Sequence, residues 1–375
     1  MPKDTKDPQK ADAISKHRAK LVKEITTAMK CDGIAWAAGW KECWSPINLT
    51  TNKHYRGINR LSLAAAMRKA GFKDPRWCTF NQIKKAGWQL KAGSHATGAI
   101  EFWSWYVRTD KLGSTKLITK ERAEQLVKDK ELPKEDLTGA FLAGKLHPVF
   151  NASQIIGVEV FEAYAQTGEN SPTEHIADEL IASSRCPLRE AEVDEAFYRP
   201  TTDEIIVPLR GQFHSMDAFI RTILHEMCHS TARAVGREIG QGLTGYACEE
   251  LSAELGSIFA AADAGLNISA LASADMGSSY LENHAAYLKS WLAAIQDNPA
   301  TLAKAAAEGS RAADYIGDRW HRYRSRQLSA VTYERSPKDL MNSKACSLIT
   351  KIDEATHVSR CLEERTTGLR KPLER

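Results

Sequence analysis

The sequence predicts an α+β protein of two domains, and three observations carry that expectation. Both structural periods occur: apolar residues recur at helical spacing over residues 217–235, while Trp103, Trp105 and Val107 alternate with Ser104, Tyr106 and Arg108 as in a strand. At 375 residues and 43% apolar, the chain can bury two cores. Charge divides it unevenly. Residues 1–100 hold 19 Lys+Arg against 7 Asp+Glu, a net of +12, and the remainder holds 32 against 40, a net of −8; the overall +4 conceals a basic front and an acidic back.

In chain order, residues 1–30 read as a charged amphipathic helix carrying Ile14, Leu21 and Ile25, without the apolar core of a signal peptide. No apolar run approaches the length of a membrane span, so no membrane partner is expected. The cysteines at 31, 43, 78, 186, 228, 248, 346 and 361 are scattered and form no Cys-x-x-Cys. That spacing fits neither a zinc ribbon nor a disulfide framework and points to a reducing, cytoplasmic setting.

Seven of the nine Trp (36, 40, 44, 77, 88, 103 and 105) precede residue 106, interleaved with Lys41, Lys53, Arg56, Arg60, Arg76, Lys84, Lys85 and Lys91. Single strands of nucleic acid are held by such a mixture, with bases stacked on rings and phosphates tracked by cations. For any one ring, core packing takes precedence, and Trp103 and Trp105 are expected on a buried strand face. The segment Tyr55-Arg56-Gly57-Ile58-Asn59 differs, because an aromatic, a cation and a permissive glycine sit in a polar stretch where a loop can approach a ligand. The nucleic-acid candidates are Tyr55, Arg56, Asn59, Arg60, Arg76, Trp77, Lys84 and Lys85, in a first domain over residues 1–108.

Residues 109–146 change to a Lys/Glu-rich composition closing near Pro133 and read as a linker carrying a short solvated helix. A second domain is expected over 147–317. Within it, Ala196-Phe-Tyr-Arg, a turn at Pro200-Thr-Thr-Asp203, and Ile205-Ile-Val-Pro208 read as a hairpin, with Pro208 marking a sheet edge. Residues 318–375 form a basic extension without a recognisable motif, either an accessory nucleic-acid contact or a disordered tail.

After the hairpin comes His225-Glu226-Met227-Cys228-His229, a His-Glu-x-x-His motif inside a helical pattern. Residues four apart stack on one helix face, so both imidazoles can converge on one ion, with Glu226, 100° round, placed to act as a general base on water. Phe219, Ile220, Ile223, Leu224, Met227 and Val235 form the opposite, apolar arc. Asp217 is the expected N-cap, and Gly236, Gly240 and Gly242 the stop. Cys228 reads as a buried bystander thiol. Hydrolysis by a zinc-type centre is the leading chemistry.

Such a centre takes three protein ligands. The following helix, with apolar arc Ala247, Leu251, Leu255, Ile258 and Phe259 and a stop at Gly265, offers three carboxylates. Glu250 flanks the buried arc and is the preferred third ligand, with Glu254 next and Glu249 last. Glu254, one turn on, suits an acceptor that orients an imidazole. Glu249 points nearly away, among Ala253, Gly256 and Ala260, and fits an exposed acidic face.

Glu-x-x-Ala-Glu some twenty residues after His-Glu-x-x-His is similar to the gluzincin arrangement of thermolysin-type peptidases. Thr222-Ile-Leu-His-Glu, Tyr246-Ala-x-Glu-Glu-Leu-x-Ala-Glu-Leu-Gly and Ala285-Ala-Tyr-x-x-Ser-Trp291-Leu together resemble the metallopeptidase half of ArdC-type antirestriction proteins carried by plasmids. Asp74-Pro75-Arg76-Trp77-x-Thr79-Phe80-x-Gln82 and the Tyr55 segment resemble the amino-terminal half.

This resemblance implies an ssDNA-binding α/β domain followed by a gluzincin-like metallopeptidase domain, with Zn2+, or another divalent ion such as Mn2+, at His225, His229 and Glu250. It further implies protection of incoming plasmid DNA from restriction, with single-stranded DNA and a protein of the host restriction machinery as partners. A zincin edge strand takes the peptide by sheet addition, so Glu204–Val207 is the expected place. Tyr246, His284 and Tyr287 are candidate oxyanion donors. Two alternatives stay open: a peptidase that DNA binding merely localises, and a replication or conjugation accessory, since similar amino-terminal domains occur in plasmid primases. One departure from the family is Ser230, where Trp commonly follows the second His.

Overall fold

A computed structural model describes residues 8–32, 36, 43–111, 114–161, 173–238, 242–266 and 278–334. Expectations placed on Trp40, Lys41, Gly240 and the chain beyond 334 lie outside the described residues, as do the side chains of His284 and Tyr287. Residues Met1–Trp320 form one compact unit and His321–Arg375 a second. Of the second unit, residues 321–334 are helical, and those of its side chains that are described lie mostly exposed.

The first unit opens with α1 (Pro8–Asp32), which buries Ile14, Leu21, Ile25 and Met29 at helical spacing. Next come β1 (Ile47–Asn48), α2 (Gly57–Ala70), β2 (Arg76–Thr79), α3 (Phe80–Lys85), β3 (Gln89–Leu90), β4 (Gly98–Lys111), β5 (Ser114–Thr119), α4 (Lys120–Lys128), β6 (Leu137–Asn151) and β7 (Ile155–Ile156). Thr79 and Gln82 form a capping box that starts α3 directly at the end of β2. The main sheet has the order β1-β2-β6-β4-β5, with only the β1/β2 pair parallel.

The segment expected as a linker is therefore corrected. Residues 109–146 carry the end of β4, all of β5 and α4, and most of β6, which lies between β2 and β4. Its Lys/Glu-rich stretch is the largely exposed helix α4 and the turn after it, which join β5 to β6, both of them paired with β4.

The rest of the unit holds α5 (Thr173–Ser183), β8 (Leu188–Ala191), β9 (Phe197–Arg199), β10 (Glu204–Pro208), α6 (Met216–Ser230), α7 (Gly242–Asp263), α8 (Ser278–Asp297) and the start of α9 (Ala300–Glu334). The hairpin forms as its turn residues require, with Asp203 in the left-handed region at φ 53° and its carboxylate accepting from the Tyr198 hydroxyl at 2.9 Å. The expected edge position is overturned: the order is β8-β10-β9, so β10 is central, and Pro208 ends the strand. Ser215, not Asp217, caps α6 by accepting from Ala218 N–H. Gly265 follows α7 at φ 70°, the left-handed stop its position requires.

One apolar core runs through both domains, taking in Leu61 and Trp77 as well as Phe219, Leu251 and Trp320. Helices α7 and α9 cross at a glycine pair: a Cβ on Gly309 would stand 2.8 Å from the Gly256 nitrogen.

Candidate metal centre and nucleic-acid face

Helix α6 stacks His225 and His229 one turn apart, and packing of α7 against it brings Glu250 opposite them. The two Nε2 atoms lie 3.1 Å apart, and the Glu250 carboxylate is 3.4 Å from His225 Nε2 and 3.6 Å from His229 Nε2. Ligand atoms about 2.1 Å from a tetrahedral zinc-type ion stand roughly 3.4 Å from one another. The three donors therefore fit a single divalent ion, and they form a candidate metal-holding group.

The far sides of the rings are also held. His229 Nδ1 lies 3.0 Å from Glu249, whose carboxylate accepts from Arg237 at 2.7 Å. His225 Nδ1 lies 3.6 Å from Glu254, which is bound in turn by Arg221. Glu249 is thus not on an exposed face: it is 6% exposed, because Arg237, from the turn after α6, reaches back over that side of α7. Three acids on one helix were the available signal; nothing in the sequence pointed to Arg237.

Glu226, Glu249, Glu250 and Glu254 are all buried, and Arg221 and Arg237 are the guanidiniums buried with them. With neutral imidazoles, four carboxylates against two guanidiniums leave two negative charges, which a divalent cation balances. Burial lowers the affinity of His225 for its proton, yet Glu250 and Glu254 outweigh it and raise its pKa. Burial likewise pushes Glu250 up, and the opposing hydrogen bond and charge of the imidazoles bring it well below the usual carboxylate range. Tyr246, half exposed, also hydrogen-bonds Glu250. Cys228 is fully buried, its thiol pushed up to about 12 by burial, and its Sγ faces Gly256.

The nucleic-acid candidates divide. Arg56, Lys84 and Lys85 are exposed, and Lys84 sits 5.7 Å over the ring of exposed Phe80. Tyr55 is half buried; its hydroxyl accepts from Asn48 at 2.9 Å, and burial pushes its pKa up to about 12. Asn59 exchanges two hydrogen bonds with the Glu101 backbone, pinning α2 to β4. Arg76 grips Asp74 and the Glu159 carbonyl. Trp77 is fully buried, so its expected contact with DNA is corrected to core packing.

Arg60 is corrected likewise. It is 2% exposed, and its guanidinium bonds Trp44 O, Phe259 O and both oxygens of Asp263 while lying 4.3 Å over the Phe259 ring. This cation ties α2 to the helix that carries Glu250.

Trp103 and Trp105, expected in the core, are 46% and 50% exposed, and neighbouring Phe102 is 56% exposed. Alternation identifies a shared face but not whether another layer covers it. Opposite Trp103 stands Gly144, and the indole lies across that glycine. Sequence reasoning thus located the aromatic surface in the wrong residues: among the described residues of the first domain, the open rings are Phe80, Phe102, Trp103 and Trp105.

Comparison with known proteins follows the same division. Residues 15–139 match the family model of the N-terminal domain of anti-restriction factor ArdC, and residues 175–308 that of a zincin-like metallopeptidase. The crystal structure of metal-free antirestriction protein ArdC from plasmid R388 aligns over 81% of this chain and 98% of its own, with a TM-score of 0.58 and 25% identity. Its Mn(II)-bound form gives 0.56 at 24% identity, over 81% of this chain and 97% of its own. A DNA primase TraC of Escherichia coli is 35% identical over 289 residues, 75% of this chain but 25% of the primase. The chain thus spans about a quarter of that relative. An uncharacterized protein of Sinorhizobium fredii, y4eC, is 27% identical over 81% of this chain and 91% of its own length.

Proposed function

We propose, from the premise that this chain belongs by both of its domains to the ArdC-type antirestriction proteins, that it binds single-stranded DNA through its first domain and holds a divalent metal in its second. By coupling the two it protects incoming plasmid DNA from host restriction. The observation that carries the reading is the convergence of His225, His229 and Glu250 on one point, with both imidazoles held from behind by carboxylates. Zinc is the preferred ion from the zincin-like match, and manganese is supported by the Mn(II)-bound relative.

When bound, the ion acidifies water and polarises a carbonyl. The chain's own contribution is to fix the ligands and to keep Glu226, buried beside them on α6, as the group that takes a proton. Tyr246, at the exposed rim beside Glu250, is the donor available to a developing oxyanion. The substrate of this peptidase-type chemistry is a protein of the restriction machinery.

The test compares wild type with Glu226→Gln for protection of transformed DNA, with metal content measured in both. Loss of protection at full metal content supports chemistry; retained protection assigns the metal a structural role. A second reading, an accessory of conjugation or replication, rests on the TraC primase matches. Primer synthesis on a single-stranded template by the purified chain would favour it.

A further inference from the structure

The sequence assigned nucleic-acid contact to the first domain and left an accessory contact open only for residues 318–375. Within the Met1–Trp320 unit, a cleft of about 330 Å³ opens where that domain meets α9, lined on one side by Arg18, Arg56 and Trp103 and on the other by Ala303, Ala307 and Arg311. That volume lies at the lower end of the range for ligand pockets, about 300–1,000 Å³, which suits one nucleotide.

The wall is the half-exposed indole of Trp103, held in orientation by an Nε1–H bond to Glu101 at 3.1 Å. Glu101 is neutralised by two bonds from Arg18, at 2.7 and 2.6 Å, so it does not repel an anion. Small residues make the floor. Gly57 closes against α9, where a Cβ would stand 3.5 Å from Ala307 Cα, and its N–H bonds Ser310 at 2.9 Å.

Two cations flank the opening. Arg56 is 69% exposed and pairs with Asp314 at 3.1 Å; Arg311 is exposed and forms no ion pair among the described residues. Asp314 is the opposing charge, and burial raises its pKa against the pull of Arg56. A phosphate arriving at Arg56 has to compete with it.

We propose that this cleft seats one nucleotide of a bound single strand, its base on Trp103 and its flanking phosphates on Arg56 and Arg311, so that α9 of the metallopeptidase-like domain is part of the nucleic-acid surface. The proposal rests on the single-strand-binding reading and adds to it a second-domain contact.

Binding of a labelled oligothymidine to the full chain is read by anisotropy across a salt series. Trp103→Leu, which keeps apolar bulk, weakens binding about tenfold, and the loss disappears with an abasic oligonucleotide, which has nothing to stack. Arg311→Ala lowers the log–log salt slope by about 0.7, the share of one phosphate on a single strand. Asp314→Asn tightens binding, an outcome that a structural Asp314 does not produce. Wild-type binding by all three variants, with loss confined to Lys84→Ala and Lys85→Ala, overturns the cleft and leaves the single-strand reading intact. Failure of the wild-type chain to bind overturns both.

Discussion

Replacing Arg60 by Met separates a structural cation from a DNA contact. The guanidinium is 2% exposed and makes two bonds of 2.8 Å to Asp263, one of 3.2 Å to Phe259 O and one to Trp44 O. Removing one partner of a buried ion pair costs about 3–5 kcal/mol, chiefly because the other charge stays buried. The Asp263 side chain retains 26% exposure and regains some water, so the lower end, about 3 kcal/mol, applies.

Urea denaturation of the full chain should show a lower midpoint, and Asp263→Asn should cost a similar amount with strong coupling in the double variant. The pH dependence has a definite sign. Burial raises the Asp263 carboxyl, but Arg60 outweighs it and holds the folded pKa below the ordinary value. Its contribution is therefore complete above the unfolded value of about 3.9 and lost as pH falls through the lower folded value. The stability gap between wild type and Asp263→Asn should narrow below about pH 4. An unchanged urea midpoint in Arg60→Met, combined with lost affinity for single strands, would refute the structural role.

His225→Ala or Glu250→Ala should remove about one metal equivalent by elemental analysis, and Glu249→Ala, by freeing His229 Nδ1, should weaken metal affinity about 10- to 100-fold in a chelator competition. A fragment ending at residue 108 should show no cooperative unfolding by circular dichroism, because the cut removes β6 from between β2 and β4; a sharp transition would contradict the strand order. Gly309→Ala should lower stability by about 1–3 kcal/mol in urea, since its Cβ meets the Gly256 backbone at 2.8 Å and no side chain there can yield. A neutral result would mean that the two helices can separate without loss.

The half that carries the candidate metal centre was the more legible because its signal is local. Spacing of four on a helix stacks His225 and His229 whatever the rest of the chain does, and the apolar arc of α7 turned Glu250 towards them. The arc misled for Glu249, since periodicity orients a side chain about its own helix and says nothing of an arginine arriving from elsewhere. Charge asymmetry marked the first domain as basic, but net charge does not separate a cation facing solvent, such as Arg56, from one spent inside the fold, such as Arg60.

By itself, then, the sequence determined the two helices that carry the candidate metal site, where His225, Glu226 and His229 lie on α6, and which half of the chain is cationic, because each follows from short-range spacing or from composition. Tertiary structure alone decided that residues 109–146 complete the sheet, that Trp103 and Trp105 are uncovered while Trp77 is buried, and that Arg60 binds α7. These outcomes depend on which distant layer comes to rest on a given face. That is set by packing of the whole core and by the need to partner every buried charge, neither of which is written in any local window.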